Sequence, residues 1–88
     1  MFEELLKLVV WDEPLSDVPD GWTQKQTIIE NWFVKVWHPS AGTFEASATH
    51  MIDNTRHRLG LSEPKDMDKA CNMAAEIVIS TMITSAKA

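Results

Sequence analysis

The chain has 88 residues, 44% of them hydrophobic, with three glycines, one cysteine and a formal net charge of −5. That length suits one domain and no more, with about 60 to 65% of the unfolded surface buried and a stability on the order of 5 kcal/mol. The lone cysteine, Cys71, excludes an intramolecular disulfide and a paired-cysteine metal module, so the expected compartment is the reducing cytoplasm.

The first element is an amphipathic helix over residues 2–11, with Phe2, Leu5, Leu6, Leu8, Val9 and Trp11 at helical spacing and Glu3, Glu4 and Lys7 opposite. Glu3 and Glu4 stand where an export signal carries basic residues, so none is expected. Pro14 ends the helix. Residues 12–21, with Pro19 and the Asp20-Gly21 turn signal, read as an irregular connection.

Residues 22–30 admit two readings. Thr23, Thr27, Ile28 and Ile29 favour a strand, whereas Asp20 could cap a helix; the strand is preferred, folded back by a Glu30-Asn31 turn with Asn31 left-handed. Residues 32–48 then form a hairpin. Trp32, Val34 and Val36 point one way, while Phe33 and Trp37 point the other with Lys35 between them. Taking residues 38–42 as the loop, Trp37 faces Thr43, Val36 faces Phe44, Lys35 faces Glu45, Val34 faces Ala46 and Trp32 faces Ala48. That register joins Lys35 to Glu45 on one face and aligns Trp32, Val34, Val36, Phe44, Ala46 and Ala48 on the other; such cross-strand pairs contribute about 0.2 to 1 kcal/mol each.

A short helix over residues 50–59, closed by Gly60, is expected next. The last helix runs over residues 64–85, opened by Pro64. Its polar stripe, Lys65, Lys69, Asn72, Glu76, Ser80, Thr84 and Lys87, leaves an apolar arc too wide for one flat sheet to cover. The second cover is either the N-terminal helix or another copy of the chain. Residues 70–83 are too short, and too interrupted by Asn72, Glu76, Ser80 and Thr81, to cross a membrane. The expected fold is α+β: a small antiparallel sheet of two or three strands packed with an N-terminal and a longer C-terminal helix, in α-β-β-β-α order.

This order, with the alanine-rich Lys69-Ala70-Cys71-Asn72-Met73-Ala74-Ala75 segment, is similar in arrangement to a double-stranded-RNA-binding domain. The family's glycine-serine-lysine-lysine approach to the last helix is replaced here by Leu61-Ser62-Glu63-Pro64-Lys65-Asp66, so its RNA contact does not carry over. Arg56-His57-Arg58 is the one basic cluster, and without a basic face around it nucleic acid is disfavoured as a partner. His50, Asp53 and His57 would share a face of the expected short helix, but their spacing matches no established metal motif, and no metal or other cofactor is assigned. Cys71 reads as a small core residue.

No catalytic residues are assigned either. The chain has no glycine-rich phosphate loop, no GxSxG and no HExxH, and a domain this small has little room for a lined pocket, so it reads as a non-enzyme. Four tryptophans and no tyrosine point to contact surface instead, with Trp11 and Trp32 read as core. The leading expectation is a protein-binding adaptor or inhibitor docking through Phe33, Lys35 and Trp37. The first thirty residues hold seven acids, Glu3, Glu4, Asp12, Glu13, Asp17, Asp20 and Glu30, against Lys7 and Lys25, so the first six of these would steer it toward a basic surface. A narrower form, by analogy of size and charge with small phage anti-defence proteins, is an inhibitor occupying a basic nucleic-acid-handling surface. The alternative is a homodimeric structural protein closed through Phe33 and Trp37 or through the wide arc of the last helix.

Overall fold

A computed structural model of the chain describes residues 2–13, 18, 21–39 and 42–83. Its elements are α1 (Phe2–Leu8), β1 (Thr23–Ile29), β2 (Trp32–His38), β3 (Glu45–His50), β4 (Arg56–Leu59), α2 (Met67–Ile77) and a π-helical segment (Val78–Ile83) that continues α2. The four strands form one antiparallel sheet in the order β1-β2-β3-β4. The fold is thus α+β as expected, with one strand more.

The two-residue period of β2 divides the molecule. Val34 and Val36 are wholly buried, together with Ile29, Ala46, Ala48 and Leu59 from the neighbouring strands. Against them α2 lies across β2 and β3, contributing Ala70, Cys71, Ala74 and Ala75. Alanines on both sides let the helix backbone approach the sheet closely, and the larger Val78, Ile79 and Ile83 complete the core where the helix widens. The arc of the last helix is covered on its second side by α1, which packs on the π-helical segment and brings Leu6 to the core, with Val9 following just beyond its end.

Helix α1 is shorter than its apolar spacing predicts. From Val9 the chain runs extended beside β1, Asp12 exchanging backbone bonds of 2.8 and 3.0 Å with Gln26, while the Thr27 hydroxyl donates to the Val10 carbonyl at 2.6 Å. Val9 and Trp11 pack against the core, whereas Val10 is 67% exposed and Asp12 is also exposed. Two β-branched residues and a tryptophan suit a pleated strip beside an open strand edge better than a helical last turn. The residues expected to form the rest of the connection, 14–17 and 19–20, lie outside the described ones.

The β1–β2 turn is the two-residue one expected, Ile29 facing Trp32, but the left-handed residue is Glu30, with φ 53°, rather than Asn31. A tight antiparallel turn needs positive φ at its first central position whatever occupies it. The β2–β3 register is displaced by two residues from the expected one: Val34 faces Ala48, Val36 faces Ala46 and Trp37 faces Glu45. A shift of two keeps every side chain on its face, so the inner face survives. The Lys35–Glu45 pair does not. Lys35 faces Ser47, and Glu45 bonds instead to Arg58 on β4. The longer loop is closed by His38, whose ring stacks on Phe44 at 4.1 Å and contacts the Gly42 carbonyl at 3.1 Å.

The expected helix over residues 50–59 is a strand–turn–strand. The Asp53 carboxylate accepts the Thr55 N–H at 3.0 Å, Asn54 takes φ 62°, and Asn54 and Thr55 exchange backbone bonds with His50. This local turn chemistry of Asp-Asn-Thr competes with the helix and returns Arg56–Leu59 to the sheet. The fourth strand also breaks the three-strand order on which the RNA-binding-domain resemblance rested.

The last helix starts after Pro64, at Met67, because Asp66 caps it, its carboxylate accepting the Lys69 N–H at 2.9 Å. It does not continue as a regular α-helix: Val78–Ile83 are π-helical, and the Ser80 and Thr81 hydroxyls donate to the Ile77 carbonyl. Hydroxyls competing for that acceptor accompany the widening to a π-helix. Lys69, Asn72, Glu76 and Ser80 hold the exposed stripe as expected; Thr84 and Lys87 lie outside the described residues.

Candidate functional site

Helix α2 covers one side of the sheet, and alternation sends Phe33, Lys35 and Trp37 to the other. Among the described residues no helix lies over that side. Reading across the strands, Trp37 stands between Gln24 and Glu45, Lys35 lies in the row Gln26, Ser47, Arg58, and Phe33 lies in the row Ile28, Thr49, Arg56. The face therefore has two halves. Around Phe33 it is aliphatic, with Ile28 58%, Val10 67% and Leu8 76% exposed. Around Trp37 it is cationic.

Trp37 borders two open concavities. One, of about 350 Å³, is shared with Ser47, Arg56 and Arg58; the other, of about 150 Å³, with Trp22, Gln24, Lys35 and Arg56. Ser47 is buried beneath the long side chains around it, although it lies on this face. Arg58 remains well exposed while bonded to Glu45, which fixes one end of its guanidinium and leaves further donors outward. Neither Lys35 nor Arg56 has an ion-pair partner among the described residues.

Of the expected site residues, Phe33, Lys35 and Trp37 are brought together, each half-buried. Of the acids whose side chains are described, Glu4, Asp12 and Glu13, only Asp12 comes near them. Glu4 is exposed on α1; Glu13 is bonded to Lys25, whose ammonium pKa that hydrogen bond raises; Asp12 borders the aliphatic half of the face beside Gln26 and Phe33. Glu3 lies in α1, but its side chain, like Asp17 and Asp20, is outside the described residues.

The side chains weighed for a metal have lost the helix that would have aligned them. His50 contacts Asp53 at 3.1 Å, and His57 sits on β4, so that Trp32 lies between two imidazoles at 4.9 and 5.5 Å. The Thr55 backbone N–H, then its side chain, hold the Asp53 carboxyl below its ordinary pKa. Among the described residues no three His, Cys, Asp or Glu converge as metal ligands. Cys71, beside Trp11 and Lys25, is 6% exposed, and burial pushes its thiol up to about 11. No described helix is long and apolar enough to cross a membrane.

Arg56 and Arg58 are the residues that sequence reasoning missed as part of the face. The Asp53-Asn54 pair is a turn signal, and reading it as one places Arg56 and Arg58 on one face of a strand at the two-residue period. No family model matches the chain, and no curated protein or solved structure matches it either.

Proposed function

We propose that the chain is a non-enzymatic protein-binding module, an adaptor or inhibitor acting in the cytoplasm, whose docking face is the open side of the sheet. The observation that carries this reading is the pairing of Phe33 and Trp37 on a face that no described helix covers, bordered by exposed Ile28, Val10 and Trp22. Half-buried aromatics held by strand pairing give a partner large apolar area with little side-chain entropy left to lose. The expected narrower form, an inhibitor placed on a basic nucleic-acid-handling surface, draws no support from a docking face bearing Lys35, Arg56 and Arg58. The adaptor-or-inhibitor class does not depend on that form.

A photo-crosslinking amino acid, benzoylphenylalanine, placed at Phe33 tests the docking face. Expressed in its native cell, the Phe33 variant is expected to form a covalent adduct with another protein, whereas the same group at Glu76, on the exposed stripe of α2, is not. Equal adduct yields from the two positions, or none from Phe33 in a variant with wild-type circular dichroism, would remove the sheet face as the site.

A further inference from the structure

We propose that the open face takes an acidic protein segment, its carboxylates held by Arg56 and Arg58 and an apolar side chain seated against Trp37. The proposal rests on the docking reading above and adds the partner's chemistry.

The charge distribution carries it. In a chain with a net charge of −5 and only eight lysines and arginines, three of the eight, Lys35, Arg56 and Arg58, gather around one tryptophan, supplied by β2 and β4, which are not adjacent in the sheet. Among the described residues the acid that opposes them there is Glu45, already bonded to Arg58. Guanidinium groups present a planar fork of donors that matches a carboxylate, and a tryptophan beside them supplies an apolar floor. The larger concavity, about 350 Å³, lies between the aromatic and the two arginines, so one ligand side chain and a neighbouring carboxylate can engage together.

The aliphatic half of the face distinguishes the occupants. Ile28, Val10 and Leu8 continue the surface beyond Phe33, an aliphatic area that suits the apolar side chains of a polypeptide better than nucleic-acid bases, which stack on aromatic rings. Three cations also give single-stranded nucleic acid little counterion release to bind by. A second copy stacked through this face about a two-fold axis near Trp37 brings the Lys35, Arg56 and Arg58 cluster against its own mate. Pairing two β4 edges likewise sets Arg56-His57-Arg58 against itself, and like charges across strands are destabilising.

The test uses the full chain and three fluorescein-labelled probes of equal length, read by anisotropy: a peptide of repeated Glu-Glu-Leu, one of repeated Lys-Lys-Leu, and oligo(dT). The acidic peptide is expected to bind at least tenfold tighter than the basic one, to lose at least tenfold in Arg56→Ser/Arg58→Ser and in Trp37→Ala, to keep its affinity in Glu76→Gln, and to weaken with added salt. Failure of the acidic peptide to bind, or binding indifferent to both face variants, overturns the proposal. Tight oligo(dT) binding lost in those variants overturns it in favour of nucleic acid, and a doubling of mass abolished by Trp37→Ala overturns it in favour of a second copy. Circular dichroism of each variant confirms the fold. The two readings fail separately: an adduct from Phe33 that persists undiminished in Arg56→Ser/Arg58→Ser sinks the acidic partner and keeps the docking face, whereas absence of that adduct sinks both.

Discussion

At the scale of single residues, two positions convert conformation or burial into measurable stability. Asn54 holds φ 62° in the turn that returns β4 to the sheet, a region that asparagine tolerates and a β-carbon otherwise penalises. Asn54→Ala is expected to lose about 1 kcal/mol in urea unfolding, while Asn54→Gly stays within about 0.5 kcal/mol of the parent. Equal losses in the two variants would show that the side chain, not the backbone, is what matters there. Cys71 gives a pH dependence. Its thiol is pushed up to about 11 because burial disfavours the thiolate, so the group stabilises the fold below its unfolded pKa of about 8.5. That contribution is lost as pH rises toward 11. Wild type is therefore expected to lose more stability than Cys71→Ala between pH 8.5 and 11, and to react slowly with a thiol reagent at pH 8 until unfolded. Parallel pH profiles would contradict this.

At the scale of elements, the cap and the alanine seam decide how α2 sits on the sheet. Asp66→Ala removes the acceptor for the Lys69 N–H and is expected to cost about 1 kcal/mol, whereas Asp66→Asn retains most of it; thermal melts of the pair check this. Ala74 is wholly buried, so a branched side chain there is expected to overpack the seam at a cost of about 1 to 3 kcal/mol. The parts of the fold that were legible from the period alone are β2, the inner-face residues and the exposed stripe of α2; residues 22–30 admitted a helix as well, and it was the β-favouring Thr23, Thr27, Ile28 and Ile29 that pointed to β1 and the two-residue turn after it. Where two local preferences compete, periodicity could not choose. The Val9–Asp12 segment fits a helical apolar spacing but has a strand edge to run beside, and residues 50–59 can be helical until the Asp53–Thr55 turn is counted. The β2–β3 register slipped by two because alternation is blind to even shifts, and the charge pair invoked to fix it had a competitor, Arg58, on a strand that the helical reading had removed. The same error hid the cationic half of the open face. The aromatic half needed only the alternation of residues 32–37, which is why Phe33 and Trp37 were found and Arg56 and Arg58 were not.

At the scale of the whole molecule, the distribution of charge separates a binding module from a self-associating one. The chain carries −5, yet its open face gathers Lys35, Arg56 and Arg58, so two identical faces repel locally and two whole chains repel at long range. The apolar area around Phe33 and Trp37 pulls the other way. Which term governs is visible in the salt dependence, because screening over a Debye length of about 10 Å at 0.1 M weakens the repulsion and leaves the apolar contact intact. At micromolar concentration and low salt the protein is therefore expected to sediment as a single chain. Association, where it begins, should strengthen with added salt and be removed by Trp37→Ala. A dimer that is tight at low salt and loosens as salt is added would mean that opposite charges, not apolar surface, close the interface. The acids of the N-terminal third would then be seated on the cations of a second copy's open face, and homodimerisation would displace the docking of an acidic partner as the use of that face.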